Sequence, residues 1–136
     1  MCDGVLYDYQ GQSIKVYFAN PTAMLPVKAS FDRIKLIKWG RRDGEICHFP
    51  LGSTANLEAV RRGRWDEYAP KPVKLPIRKF LEKDQKGFPR WFDIIPGYWI
   101  QGLLASDGQE YRVYIVTLSP ESPDANYDQW PRILYN

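Results

Sequence analysis

Apolar and polar side chains alternate along several stretches of this chain, which is the pattern of β-strands with one buried face. The clearest case is residues 110–119, where Tyr111, Val113 and Ile115 alternate with Arg112 and Tyr114. The same pattern predicts strands at 13–19, 31–39, 91–95 and 98–104, with shorter extended pieces at 25–29 and 46–49. Residues 106–109, between the stretches at 98–104 and 110–119, predict a hairpin turn.

Signals for helices are few. Ser53 or Thr54 is a suitable N-cap for one helix that ends near Arg62, and Gly63 fits the stop position after it. Residues 65–90 are rich in proline and lysine, so we expect mostly extended loop there, with a short amphipathic turn at 77–81. Residues 119–126 predict an acidic loop, and the apolar tail at 130–134 is expected to dock on the core.

These elements together predict an α+β fold in one domain over residues 1–136. The domain is β-rich, with a twisted, mostly antiparallel or barrel-like sheet and few short helices. A hydrophobic fraction of 44% and an aromatic fraction of 15% exclude a disordered chain.

The cysteine and histidine content excludes several functional classes. Two cysteines, Cys2 and Cys47, make no disulfide framework, and with a single histidine they do not have the spacing of a zinc site. We therefore expect no metal, no other cofactor and a reducing, cytoplasmic setting. The sequence has neither a long apolar run nor a basic-then-apolar leader, so we expect no membrane contact. We expect a monomer.

Charge is unevenly distributed along the chain. Residues 28–90 carry 16 Lys and Arg against 8 Asp and Glu, whereas the rest carries 3 against 8. A basic middle region is a candidate surface for an anionic ligand. The alternative is a solvated surface with no ligand.

Seven short stretches, taken in order, resemble the SOS response-associated peptidase (SRAP) family, whose members process abasic sites in single-stranded DNA. The stretches are Met1-Cys2, Asn20-Pro21-Thr22 before Pro26-Val27, Trp39-Gly40 after a strand, residues 54–58, residues 90–101 around Gly97-Tyr98-Trp99, residues 114–118, and residues 127–134. The resemblance spans nearly the whole chain. It implies an SRAP-like fold and a catalytic role for Cys2.

The chain departs from the family at most of the polar active-site positions. The family's catalytic glutamate and histidine fall on Ile100 and Tyr127. Its asparagine falls on Thr54, its arginine falls on Asn56, and a glutamate is retained as Glu58. The resemblance therefore implies a catalytic set of Cys2, Glu58 and Tyr127, with the sole histidine, His48, as a further substitute.

Cys2 has the chemistry for aldehyde capture. Its small side chain favours removal of Met1, which leaves an amine and a thiol on adjacent carbons. The amine forms a Schiff base with the aldehyde of an abasic site, and the thiol then closes a thiazolidine ring. Acid–base partners accelerate such proton transfers by about 10²–10⁴-fold, and nearby Arg or Lys would lower the thiol pKa. The alternative is a terminal thiol with no task.

Basic and aromatic side chains predict DNA binding through Trp39, Arg41, Arg42, Arg61 and Arg62. The family resemblance adds Thr54 and Asn56, which stand at the family's asparagine and arginine positions. Single-strand binders combine a basic groove with aromatic stacking surfaces, for which Trp39 and Trp65 are candidates. The alternative is that both tryptophans pack in the core.

Three functional hypotheses follow from these features. The first is a protein that binds single-stranded DNA and crosslinks to abasic sites through Cys2. The second is a catalytically reduced member that only binds nucleic acid or serves as an interaction module. The third is a peptidase with an N-terminal cysteine.

Overall fold

A computed structural model describes residues 2–119 and 127–135. The strands are β1 (Cys2–Tyr9), β2 (Gln12–Tyr17), β3 (Met24–Lys28), β4 (Ile34–Lys38), β5 (Thr54–Asn56), β6 (Lys71–Leu75), β7 (Lys79–Lys83), β8 (Pro89–Asp93), β9 (Tyr98–Asp107), β10 (Glu110–Leu118), β11 (Trp130–Pro131) and β12 (Ile133–Tyr135). One α-helix, α1 (Leu57–Arg61), and two 3₁₀ turns, Ser30–Asp32 and Asp66–Tyr68, are the helical elements of the described residues.

The strands form three sheets. The first has four antiparallel strands in the order β2-β1-β7-β8. The second has six strands in the order β11-β10-β9-β12, with β5 parallel to β10 and β6 antiparallel to β9. The third is the β3-β4 pair. The predicted β-rich α+β fold is confirmed, and the sheets stay open instead of closing into a barrel.

Two hydrophobic cores lie on opposite faces of β9 and β10. The larger core joins the four-stranded and six-stranded sheets, and it contains Cys2 and Val5 of β1 together with Ile100, Val113 and Ile115. The smaller core lies under α1 and the Trp65 turn, and residues such as Leu103, Tyr114 and Val116 form it. This division follows from the alternation of side chains along a strand.

Several predicted elements match the structure. The strand at 110–119 is β10, and the hairpin at 106–109 joins it to β9. The tail docks on the larger core through Trp130 and Ile133, as expected. The predicted acidic loop at 119–126 lies almost wholly outside the described residues.

Other predictions are wrong. Residues 46–49 are not a strand, and Ile46 is fully exposed. The helix begins later than predicted, because Asn56 caps it and Ser53 and Thr54 belong to the extended segment before it. The stretch 65–90, predicted to be mostly loop, contains β6 and β7 and the start of β8.

The first strand was not predicted at all. Its hairpin with β2 turns at Gln10 and Gly11, whose positive φ angles of 50° and 78° are those of a two-residue I′ turn. This hairpin places β1 in the interior of the four-stranded sheet, between β2 and β7. Cys2 is therefore part of a central strand and not of a loose terminus.

Candidate active site around Cys2

Cys2 is the first residue of β1 and is fully buried. The Ser53 hydroxyl, just before β5, donates a hydrogen bond to the Cys2 carbonyl at 2.8 Å. The Trp39 indole N–H in turn donates to the Ser53 carbonyl at 3.0 Å. These bonds join the start of β1 to a segment 51 residues further along the chain. The position of Cys2 is therefore fixed by the fold.

Glu82 on β7 is the residue directly opposite Cys2 in the sheet. Only 1% of Glu82 is exposed, which is rare for a glutamate. Burial raises the pKa of its carboxyl group to about 7; the N-terminal amine acts against this rise, and the nearby negative charge of Asp3 adds to it. A carboxyl group with that pKa exchanges protons readily near neutral pH.

The Cys2 thiol is held in its protonated form. Burial, and then the nearby Glu82 carboxylate, raise the pKa of the thiol far above its usual range. The Sγ atom lies 3.6 Å from the Gly4 carbonyl oxygen, to which it donates a weak hydrogen bond. The expectation that nearby Arg or Lys would lower this pKa is wrong, because no Arg or Lys of the described residues acts on the thiol, and burial together with Glu82 outweighs the effect of the N-terminal amine. A protonated thiol is a poor nucleophile.

The family's acid and base positions lie around the same core. Ile100 and Cys2 belong to one buried cluster. Tyr127 packs edge-on against Phe92, with ring centroids 5.7 Å apart, and Phe92 stacks on Phe80 of β7 at 5.5 Å. Glu82 is two residues beyond Phe80, on the same side of β7. The buried carboxyl group in this region therefore belongs to Glu82 of β7, whereas the family's glutamate position is occupied by Ile100 of β9.

Glu58 is not brought to Cys2. Its side chain is 75% exposed on α1, where it forms an ion pair with Arg62 at 3.7 Å. Together with Asn56 and Arg61 it lines a small cleft of about 270 Å³. The predicted catalytic set is thus separated, with Cys2 in the core and Glu58 in solvent.

Asn56 has a structural task at the start of α1. Its side-chain oxygen accepts hydrogen bonds from the N–H groups of Glu58, at 3.0 Å, and Ala59, at 3.3 Å. Its amide nitrogen donates to Gln129 at 3.0 Å, and Gln129 also accepts from the buried Thr117 hydroxyl at 2.7 Å. Thr54, half-buried in β5, pairs with β10.

The predicted stacking tryptophans are in the core. Trp39 is fully buried and meets Phe18 edge-on at 5.2 Å. Trp65 is 7% exposed and packs against Tyr114 at 4.7 Å. Neither ring has an open face for a base, so the stacking prediction is wrong for this conformation.

The predicted basic residues fall into two groups. Arg41 donates to the backbone carbonyls of Phe49 and Glu45, and Arg42 donates to the Phe18 carbonyl at 2.7 Å. These two arginines hold loops together. Arg61 and Arg62 are exposed on α1 and remain available to an anion.

Sequence reasoning missed Glu82 and two lysine–tryptophan pairs. Lys15 lies 5.2 Å from the centre of the Trp91 ring, and Lys74 lies 4.9 Å from that of Trp99. Alternation along β7 gives the signal for Glu82, because an inward Phe80 places the second residue after it on the same side. The prolines and lysines around β7 favour a loop and hide this alternation in the sequence.

The described residues contain no group of three or more metal-ligating side chains, and none of their helices is long and apolar enough to cross a membrane. Comparison with protein-family models, with curated proteins and with solved structures gives no match to this chain. The resemblance to the SRAP family therefore stays a prediction.

Proposed function

We propose that this domain captures the aldehyde of an abasic site in single-stranded DNA as a covalent adduct on Cys2, after removal of Met1. The observation that carries the proposal is the pairing of Cys2 with Glu82 across β1 and β7. A buried carboxyl group, able to donate and accept a proton, thus lies opposite the residue that would bear both nucleophiles. Two features support single-stranded DNA as the molecule that carries the aldehyde: the resemblance to the SRAP family and the exposed side chains of Arg61 and Arg62.

The reaction balances without any further reactant. The Cys2 amine attacks the aldehyde carbon, and the carbinolamine loses one water to give an iminium ion that keeps one N–H proton. The sulfur then gives up its proton and bonds to the iminium carbon, closing the thiazolidine ring. Protonated Glu82 donates to the departing hydroxyl, and its carboxylate accepts the thiol proton. The Ser53 hydrogen bond holds the Cys2 carbonyl during these steps.

A second candidate is a domain that binds nucleic acid without a covalent step. The observation in its favour is the complete burial of Cys2, with its thiol protonated. That burial describes the chain before Met1 is removed, so the processed protein decides between the two. A peptidase is the weaker reading, because the family's histidine position holds Tyr127 and the sole histidine, His48, is exposed whereas Cys2 is buried.

The test uses the processed full chain and a single strand that carries one abasic site. Intact-mass measurement first establishes that Met1 is absent. We expect a heat-stable adduct on a denaturing gel, lost in Cys2→Ala and formed about 10²–10⁴-fold more slowly in Glu82→Gln. Glu67→Gln, which removes an exposed glutamate away from Arg61 and Arg62, is the matched control and should leave the rate unchanged. An adduct that persists in Cys2→Ala contradicts the proposal, and salt-sensitive binding without an adduct supports the second candidate.

A further inference from the structure

The hairpin formed by β7 and β8 extends past the first residue of β1. Cys2 is paired with Glu82 of β7, and Glu82 is paired with Arg90 of β8. Residues 83–89, the overhang, therefore continue beyond the end of β1, and their tip lies roughly 10 Å past Cys2 at the usual rise per residue of a strand. The amine that removal of Met1 would expose lies at the base of this overhang.

The overhang has a defined backbone conformation. Gly87, with a φ of +85°, closes a three-residue loop in which the Asp84 N–H donates to the Phe88 carbonyl at 3.0 Å. The Asp84 carboxylate accepts hydrogen bonds from the N–H groups of Lys86 and Phe88, both at 2.9 Å. The one acidic side chain of the overhang is therefore used within the loop, and the backbone of the overhang is held in place relative to Cys2.

Three exposed cations and one exposed aromatic ring lie on the overhang or directly beside it. They are Lys83, Lys86, Arg90 and Phe88, and 66% of Phe88 is exposed. Within the described residues, none of the three cations forms an ion pair, so their charges are available to a ligand. Arg90 lies on the same side of the sheet as Cys2, because Glu82 is directly opposite both residues.

A basic surface with an exposed ring among its cations is typical of proteins that bind single-stranded nucleic acid. The cations contact phosphates, and the ring offers a face on which a base can stack. An acidic peptide would use the cations but not the Phe88 ring, and an apolar partner would use the ring but not the cations. A single strand uses both kinds of group.

We propose that the overhang binds the single strand that carries the aldehyde and presents it to Cys2. Phe88 stacks on a base next to the abasic site, and Lys83, Lys86 and Arg90 contact the phosphates on either side. The proposal rests on the proposed function, because it assigns a DNA-binding surface for the same reaction. Phe88 and the three cations are positioning residues and take no part in the chemistry at Cys2.

The first experiment measures binding without the covalent step. An intact oligothymidylate of eight units has no aldehyde, and its fluorescence anisotropy during titration with the full chain gives the affinity at several salt concentrations. We expect Phe88→Ala to weaken binding about 5–150-fold, as for loss of one stacked base, and Phe88→Trp to retain it. Lys83→Gln and Lys86→Gln should each lower the slope of log affinity against log salt by about 0.7, since each removes one phosphate contact.

The chain offers matched controls at exposed positions elsewhere. Phe31, 94% exposed on the turn between β3 and β4, matches Phe88, and Lys71, exposed at the start of β6, matches Lys86. Phe31→Ala and Lys71→Gln should bind the strand like the wild type. A polyglutamate peptide, which offers negative charge without bases, should bind more weakly than the oligothymidylate.

A second measurement separates this proposal from the proposed function. The processed protein is reacted with free 2-deoxyribose, which bears an aldehyde without phosphates or bases, and with a strand that carries one abasic site. Phe88→Ala and Lys86→Gln should react with deoxyribose at the wild-type rate and with the abasic strand more slowly. If wild-type Cys2 reacts with neither aldehyde, the proposed function fails, whereas the affinities for the intact strand still decide whether the overhang binds DNA.

Two results would overturn the proposal. One is an affinity and salt slope in Phe88→Ala and Lys86→Gln equal to those of their controls. The other is a polyglutamate peptide that binds as tightly as the oligothymidylate, which would identify an acidic protein segment as the partner. Circular dichroism of each variant shows whether it is folded, and we expect no change because all the substituted side chains are exposed.

Discussion

Replacing Glu82 by glutamine tests the raised pKa of its buried carboxyl group through protein stability, without any measurement of DNA binding or adduct formation. The pKa of Glu82 is about 7 in the folded protein, against 4.5 for an ordinary glutamate. The folded state therefore holds the proton more tightly than the unfolded chain does. Its contribution to stability is fully present below pH 4.5 and is lost as the pH rises through 7. At 1.36 kcal/mol per pH unit, the loss is about 3 kcal/mol by pH 8–9.

Glutamine resembles the protonated side chain in shape and does not ionise. We expect Glu82→Gln to match the wild type within about 1 kcal/mol at pH 4.5 and to exceed it by about 3 kcal/mol at pH 8.5. Urea denaturation of both proteins at the two pH values measures this. Using the difference between variants at each pH removes the contribution of every other titrating group.

A free energy of unfolding that differs between the two proteins by the same amount at both pH values would refute the reasoning. That result would mean that the pKa of Glu82 is ordinary in the folded state. The carboxyl group would then be ionised at neutral pH and unable to donate a proton near Cys2. The role proposed for it in adduct formation would fail with it.

Three further predictions concern the structure around the site. Glu45→Gln should cost about 1–3 kcal/mol at pH 7, because it breaks the 2.9 Å ion pair with the buried Arg112, which keeps a second ion pair with Glu110 at 2.6 Å. Although burial acts to raise the pKa of Glu45, hydrogen bonds from the Arg42 backbone, Arg112 and Lys38 lower it to about 2. Thermal melts should therefore show this contribution disappear as the pH falls from 4.5 towards 2. Gly40→Ala should destabilise or unfold the protein in circular dichroism melts, since the glycine has a φ of +56° and a Cβ there would lie 2.2 Å from the Gly52 carbonyl oxygen. Trp39→Ala should lower the free energy of unfolding in urea by about 3–5 kcal/mol, as for a core aromatic; a loss under 1 kcal/mol would contradict its burial.

The strands that could be predicted are those whose pattern is local. Residues 110–119 alternate clearly, and the turn at Gly108 separates them from β9, so the hairpin follows from neighbouring residues. The docking of Trp130 could likewise be inferred from its apolar surroundings.

The features that could not be predicted depend on distant partners. Cys2, Asp3 and Gly4 show no strand pattern in sequence, and only the pairing of β1 with β7, about 80 residues away, makes Cys2 part of a central strand. Trp39 and Arg42 look like part of a nucleic-acid-binding surface in the sequence. In the fold, however, the Trp39 indole N–H donates to the Ser53 carbonyl and the Arg42 guanidinium donates to the Phe18 carbonyl. Sequence spacing does not tell a cation that faces solvent from one that holds a loop.

Of the two residues at the candidate site, the sequence predicts Cys2 but not Glu82. Cys2 was identified from its position and chemistry, and the structure gives it a fixed place. Glu58 was chosen as the carboxylate because the family pattern retains it, yet it is exposed. Glu82 lies in a lysine-rich stretch of sequence, which indicates an exposed segment, and its side chain is nevertheless buried. Burial of a charged residue depends on tertiary packing, which local pattern does not report.

The most direct test of the central claim is to locate the adduct on the chain. The processed protein is reacted with an abasic single strand, the DNA is digested, and the modified peptide is sequenced by tandem mass spectrometry. We predict that the sugar remnant lies on the peptide that begins with Cys2, with the loss of one water and no free thiol. A remnant on a lysine, or an unmodified Cys2 peptide in a protein that has lost Met1, would contradict the account.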